Sequence, residues 1–341
     1  MKNLLIASTA LIATASVAAA DVKFSGYGRF GIGYQEDRTG TVNNFTTDAN
    51  GDIVADGTAN VDTDNTILVS RFRLNIDGTA ETDGGVEFQA RVRLQADDDS
   101  GNGEQNSAGL NGARFSVIYG GLRVDAGNVA GSFDNLANYF GNEPGLEEFL
   151  GQYSGVNYSF LEYTSTGSGA NAVFFQYAVG DFAFGASYDQ ATIAFDGVAQ
   201  DADRWDVSAT YTFNNITAAL AYGQTKANVN SASEKQSLTV LTLGAEFGDF
   251  SGTLFVADDD VVDDAENGTA YGLSLAYNLG AATTLQFAYG DGSADNDTRN
   301  IGIGAIYDLG GGASLRGGIG EIKTGDEDGR IRADFGAQFN F

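Results

Sequence analysis

The stretch "VKFSGYGRFGIGY", Val22 to Tyr34, decides how the rest of the chain is read. Inside it, Gly26 to Gly31 ("GYGRFG") match the dinucleotide-binding pattern G-x-G-x-x-G. That pattern holds a pyrophosphate only where a strand ends, a tight turn follows and a helix begins. Here the period is two throughout. Val22, Phe24, Gly26, Gly28, Phe30, Ile32 and Tyr34 share one face, while Lys23, Ser25, Tyr27, Arg29 and Gly31 share the other. This is the alternation of a strand, and it runs straight through the glycines. An acidic Gly/Asn/Thr-rich loop over 36–65 follows, not a helix. The match is an accident of a glycine-rich strand, and no dinucleotide is implied.

Ahead of this strand, Lys2 is followed by the apolar stretch Leu4 to Val17 and by Ala18-Ala19-Ala20. A basic start, a short apolar run and a small-x-small end read as a secretory signal peptide, residues 1–20, cleaved before Asp21. The run is too short to span a bilayer, and no later run approaches the roughly 18 apolar residues of a spanning helix. Residues 21–341 read as one domain. With 46 acidic and 18 basic residues the formal net charge is −28, which repels nucleic acid and suits work among divalent cations. The chain has no Cys and no His. Disulfides and thiolate metal sites are excluded, as are a Ser-His-Asp triad and the usual general base. We expect no enzyme and no cofactor beyond structural calcium.

The C-terminal half repeats one pattern. "YAVGDFAFG", "YTFNNITAA", "EFGDFSGT", "YNLGAATTLQF" and "YDLGGGASL" each join two alternating strands through a short Gly/Asn/Asp turn. Longer polar stretches at 190–203, 225–236, 257–268, 291–298 and 324–329 separate them, so short turns and long loops alternate. A helical repeat of similar period is excluded because each unit is two strands. Extended toward the N-terminus, the rhythm predicts sixteen strands between residues 22 and 341. An even count puts both chain ends on the short-turn side, where first and last strands pair and close an all-β, antiparallel up-and-down barrel.

The apolar sets are long: Trp205, Val207, Ala209, Tyr211, Phe213; then Tyr271, Leu273, Leu275, Tyr277, Leu279. The opposite faces carry Asp206, Ser208, Thr210, Thr212 and Gly272, Ser274, Ala276, Asn278. Sixteen strands enclose more volume than side chains fill. The stable arrangement is therefore inverted, with apolar residues toward lipid and polar ones toward an aqueous lumen. Tyr119, Phe182, Phe213, Phe247, Phe250, Tyr277 and Tyr307 bracket the short turns as an interfacial girdle. This is a transmembrane β-barrel.

The closing "DFGAQFNF" alternates aromatic residues and ends on Phe341. Here the chain resembles a family, the trimeric general-diffusion porins of Gram-negative outer membranes, particularly the alphaproteobacterial kind. The resemblance rests on Asp334-x-Gly336-x-x-Phe339-x-Phe341, on "VKFSGYGRFGIGY" and on "YDLGGGASLRGGI" at 307–319. It implies passive diffusion of small hydrophilic solutes and ions, a homotrimer, contact with outer-membrane lipid and lipopolysaccharide, and a terminal signal ending at Phe341 read by the outer-membrane assembly machinery. A substrate-selective channel on the same barrel is the main rival. It would want a lumenal aromatic ladder or a continuous basic track, and neither is evident. An outer-membrane enzyme and a calcium-binding β-solenoid rank lower, for want of a nucleophile with a base and of a nine-residue repeat.

One connection breaks the rhythm. Residues 129–170 contain the only Pro, carry Asp134, Glu143, Glu147, Glu148 and Glu162 with no Lys or Arg, and are too aromatic for a solvated loop. By resemblance this is the porin third loop, folded into the lumen to narrow it; a surface lid is the plainer reading. Arg29, Arg71, Arg73, Arg91 and Arg93 occupy three neighbouring strands with the parity opposite to the apolar face. An Arg facing lipid at mid-membrane costs about 2–4 kcal/mol, so they face the lumen as a basic wall. Arg114, Arg123, Arg316 and Arg332 are further candidates, and some arginines neutralise neighbours such as Glu87. By resemblance the wall opposes Asp134, Glu143, Glu147 and Glu148 across the constriction. Asp97, Asp98 and Asp99, and the acids at 258–264, are candidates for weak calcium binding.

Overall fold

The computed structural model describes residues 21–97, 107–160, 163–167, 169–195, 198–229 and 232–341. The expected signal peptide lies outside them. The strands in chain order are β1 (Asp21–Gln35), β2 (Thr39–Thr47), β3 (Ile53–Asp62), β4 (Thr66–Glu81), β5 (Glu87–Asp97), β6 (Gly109–Leu110), β7 (Arg114–Tyr119), β8 (Leu122–Gly127), β9 (Asn171–Val179) and β10 (Phe182–Phe195). They continue as β11 (Val198–Phe213), β12 (Ile216–Val229), β13 (Ala232–Phe247), β14 (Phe250–Asp260), β15 (Gly268–Leu279), β16 (Thr283–Asp291), β17 (Thr298–Gly310), β18 (Ala313–Thr324) and β19 (Arg330–Asn340).

All but β2 and β3 belong to one antiparallel sheet. β6 and β7 both pair with β5, Leu110 opposite Leu94 and Arg114 opposite Arg91, and form one interrupted crossing. Sixteen crossings result. β1 lies between β4 and β19, which closes the barrel. Phe341 completes the seam by exchanging backbone hydrogen bonds of 2.9 and 3.0 Å with Gly26. The short turns place Gly120, Gly180, Asn214, Gly248 and Gly280 at positive φ, the backbone that two-residue hairpins require.

The inversion expected from parity holds. Along β11, Trp205 is 40% exposed on the outside while Asp206 is 1% exposed on the inside. Aromatic pairs line the short-turn rim, with Phe182–Tyr211 centroids 4.6 Å apart and Phe250–Tyr277 centroids 4.3 Å apart.

Three segments differ from expectation. The loop expected over 36–65 holds the β2–β3 hairpin, a separate two-stranded sheet. Its turn is built by Asp48, whose side chain accepts the N–H groups of Asn50 (2.8 Å) and Asp52 (2.9 Å). The stretches 190–203 and 225–236 are largely strand, because β10–β11 and β12–β13 continue as long hairpins. Large apolar residues in these stretches are limited to Ile193, Phe195, Val198 and Val229 among small and polar ones, so the apolar alternation is too thin to mark strands.

Candidate pore constriction

Between β8 and β9 the chain turns into the barrel and follows its inner wall. Phe133, Leu136, Tyr139 and Tyr158 of this loop pack on inward-facing Ala219, Ala221, Leu238, Val240, Phe255 and Ala257 of β12–β14. The lumen face is thus apolar where the loop covers it, which the general rule of a polar interior did not anticipate. Side chains of the wall then fix the loop backbone. Asp206 accepts the N–H of Ser132 (2.7 Å), Ser274 Oγ that of Asn142 (2.6 Å) and Asp259 that of Asn157 (2.6 Å). Asp334 accepts three in succession, from Leu146 (2.8 Å), Glu147 (2.7 Å) and Glu148 (2.9 Å). Charge-assisted bonds of this kind are about twice as strong as neutral ones, and they remove the penalty of burying the carboxylates.

The five arginines of the expected wall all point inward, but their partners differ. Arg29 holds Glu147 (2.6 Å) and donates to the carbonyl of Leu146 (3.0 Å). Arg71 holds Glu147 (2.8 Å) and Asp97. Arg91 holds Asp77 through two bonds of 2.5 and 3.0 Å. Arg73 donates to Gln95 and lies over the Tyr27 ring, 5.3 Å from its centroid. Arg93 donates to Asn75 (3.0 Å), to the Tyr163 hydroxyl (3.0 Å) and to Ser165 (2.9 Å). Asp77 and Asp97, not Glu87, supply the local neutralisation; both share the lumen parity on β4 and β5. Among the described residues, Arg73, Arg93, Arg114 and Arg316 have no carboxylate at ion-pair distance. Arg73, Arg91, Arg93 and Arg114 line one cavity together with Asp134 and Tyr163.

The four loop carboxylates divide. Glu147 is bonded to the arginines, not set across a gap from them. Glu148 is buried beside Gln35, whose amide donates to it at 2.5 Å, with Arg332 at 3.8 Å. Burial pushes its carboxyl above the ordinary value, and Gln35 and Arg332 pull it part of the way back. Asp134 and Glu143 are exposed to the lumen, Glu143 accepting the Tyr153 hydroxyl at 2.7 Å. A further buried cluster, Arg204 between Asp189 (3.1 Å) and Asp206 (3.6 Å), stands behind the start of the loop. Its signal in the sequence is the shared parity of three charges on β10 and β11. Of the calcium candidates, Asp97 is committed to Arg71, and Asp98 and Asp99 lie outside the described residues, as does Glu162. The described residues contain no group of three or more His, Cys, Asp or Glu able to hold a metal.

A closed barrel of sixteen crossings, apolar outside and charged inside, with a loop folded into its bore, is the architecture of an outer-membrane channel. Comparison with known proteins agrees. The sequence pattern of the Gram-negative porins matches residues 7–327, and the chain belongs to that family. It is similar to a porin of Fuscovulum blasticum, at 29% identity over 94% of this chain and all of that one. A porin of Rhodobacter capsulatus is 28% identical over 80% of this chain and 93% of its own. Among solved structures, a triple mutant of Rhodopseudomonas blastica porin superposes with a TM-score of 0.71 at 26% identity, covering 94% of this chain and all of the other. The protein is an outer-membrane porin, and membership of that family implies a channel rather than an enzyme.

Proposed function

We propose that this porin passes small hydrophilic solutes and ions passively, as a homotrimer, with a transverse field at its narrowest point. The observation that carries this reading is the unequal pairing of charges around the loop. Among the described residues Arg73, Arg93 and Arg114 have no carboxylate partner, and they line one cavity with the exposed Asp134. Glu147 cancels part of the charge of Arg29 and Arg71. Fixed charges act over roughly a Debye length of 8–10 Å, so those that line one cavity act together on an ion within it. Assembly through the signal ending at Phe341, and divalent-cation bridges from the acidic outer loops to lipopolysaccharide phosphates, complete the proposal.

Recording of purified protein in planar bilayers tests it. Three equal conductance steps and a reversal potential that depends on ionic strength are expected. An insertion-competent protein with no conductance, or a conductance blocked by one class of solute at low concentration, overturns the reading.

A further inference from the structure

Glycine inside a strand weakens it and marks a place where another backbone comes close. The lumen-facing positions of β15–β18 carry glycines in opposed pairs: Gly272 with Gly290, Gly302 with Gly320, and Gly304 with Gly318. Each pair lies directly under the loop. A Cβ at Gly272 would fall 2.0 Å from the carbonyl oxygen of Gln152, and one at Gly304 would fall 2.8 Å from the nitrogen of Gly145. At Gly302, Gly318 and Gly320 an added Cβ would meet the Phe149 ring at 2.9, 2.9 and 2.8 Å. The Phe149 ring therefore sits in a recess floored by three glycines, immediately after the three residues whose N–H groups Asp334 accepts.

We propose that this glycine recess, seating Phe149, determines the bore: its depth fixes how far the loop stands off the wall. Neither Phe149 nor the glycines need touch a solute; they are positioning residues for the segment that does. This rests on the reading that the loop narrows an open pore.

The substitution Gly302→Ala separates the two ideas, because the nearest atoms its Cβ meets all belong to Phe149. Packed interiors transmit strain rather than absorb it, so the loop should move toward the pore axis and single-channel conductance should fall below the parent's. Phe149→Leu alone fills less of the recess and should conduct at least as well as the parent, and the double variant Gly302→Ala/Phe149→Leu should recover the conductance that Gly302→Ala loses. Gly318→Ala should be rescued less well by Phe149→Leu, since its Cβ also meets the Gly145 backbone at 3.0 Å. If Gly302→Ala fails to assemble, restoration of assembly in the double variant supports the recess equally. Parent-level conductance in assembled Gly302→Ala, or a defect that Phe149→Leu leaves unchanged, overturns the inference. A parent that does not conduct at all refutes the pore reading itself.

Discussion

At the scale of the residue, the charges in the lumen are not equivalent. Replacing Arg73, Arg93 and Arg114 by Ser breaks no ion pair among the described residues, so folding should be preserved while the lumen loses three positive charges. Selectivity should shift toward cations, most at low salt, where the Debye length is greatest. An unchanged reversal potential in a salt gradient would show that these side chains do not border the ion path. Glu148 supplies a pH dependence. Because burial raises its carboxyl, it loses its charge earlier than an ordinary glutamate as the pH falls. The folded protein binds that proton more tightly than the unfolded chain does. Glu148 therefore favours the fold below the ordinary glutamate range and loses that contribution as the pH rises through its raised value. In the channel, an anionward drift should begin earlier on acidification than ordinary glutamates would give. Desolvation raises the Asp134 carboxyl as well, so Glu148→Gln should reduce that early phase rather than remove it; identical titrations for the two proteins would remove Glu148 from the account.

At the scale of the element, the loop is held in two ways. Phe133, Leu136, Tyr139 and, further along, Tyr158 pack on an apolar patch of β12–β14, while the segment between them, residues 146–149, is tied through backbone N–H groups to Asp334 and seated against glycines. Phe133 is 1% exposed in that patch. Truncating a buried Phe to Ala costs about 3–5 kcal/mol, and the loss should fall on the seating of the loop, since the hydrogen-bond ladders of the sheet are untouched. Phe133→Ala should still assemble but show greater open-channel noise and faster proteolysis within 129–170. Parent-like noise and protease resistance would mean that the aromatic patch does not hold the loop.

At the scale of the whole molecule, closure depends on the seam. Phe341 bonds Gly26 through the backbone and stacks on Phe72 with centroids 5.9 Å apart, so it links β1, β4 and the end of the chain. Open sheet edges are not tolerated in lipid. Deleting Phe341 should therefore lower outer-membrane levels and the amount of folded barrel, read by heat-modifiable migration in gels; normal levels would separate the seam from assembly.

Strand number, strand faces and closure were legible in the sequence because a membrane barrel writes them locally. Lipid demands an apolar residue at every second position, and hairpin turns demand Gly, Asn or Asp, so "YTFNNITAA" and "RIRADFGAQFNF" state their own structure. Arg71 and Arg91 could be turned inward for the same reason. What the sequence did not state is everything that depends on which distant residues meet. Glu147 and Asp134 look alike in the chain, yet one is tied to two arginines and the other faces the lumen. Gly302 and Gly318 read as weak points in strands until Phe149, more than 150 positions earlier, is laid upon them. The hairpin β2–β3 escaped because its large apolar residues, Val42, Phe45, Ile53, Val54 and Val61, do not recur at every second position. Parity is a property of one strand and its solvent, whereas pairing of charges and seating of the loop are set by the three-dimensional path of the chain, which only the tertiary structure decided.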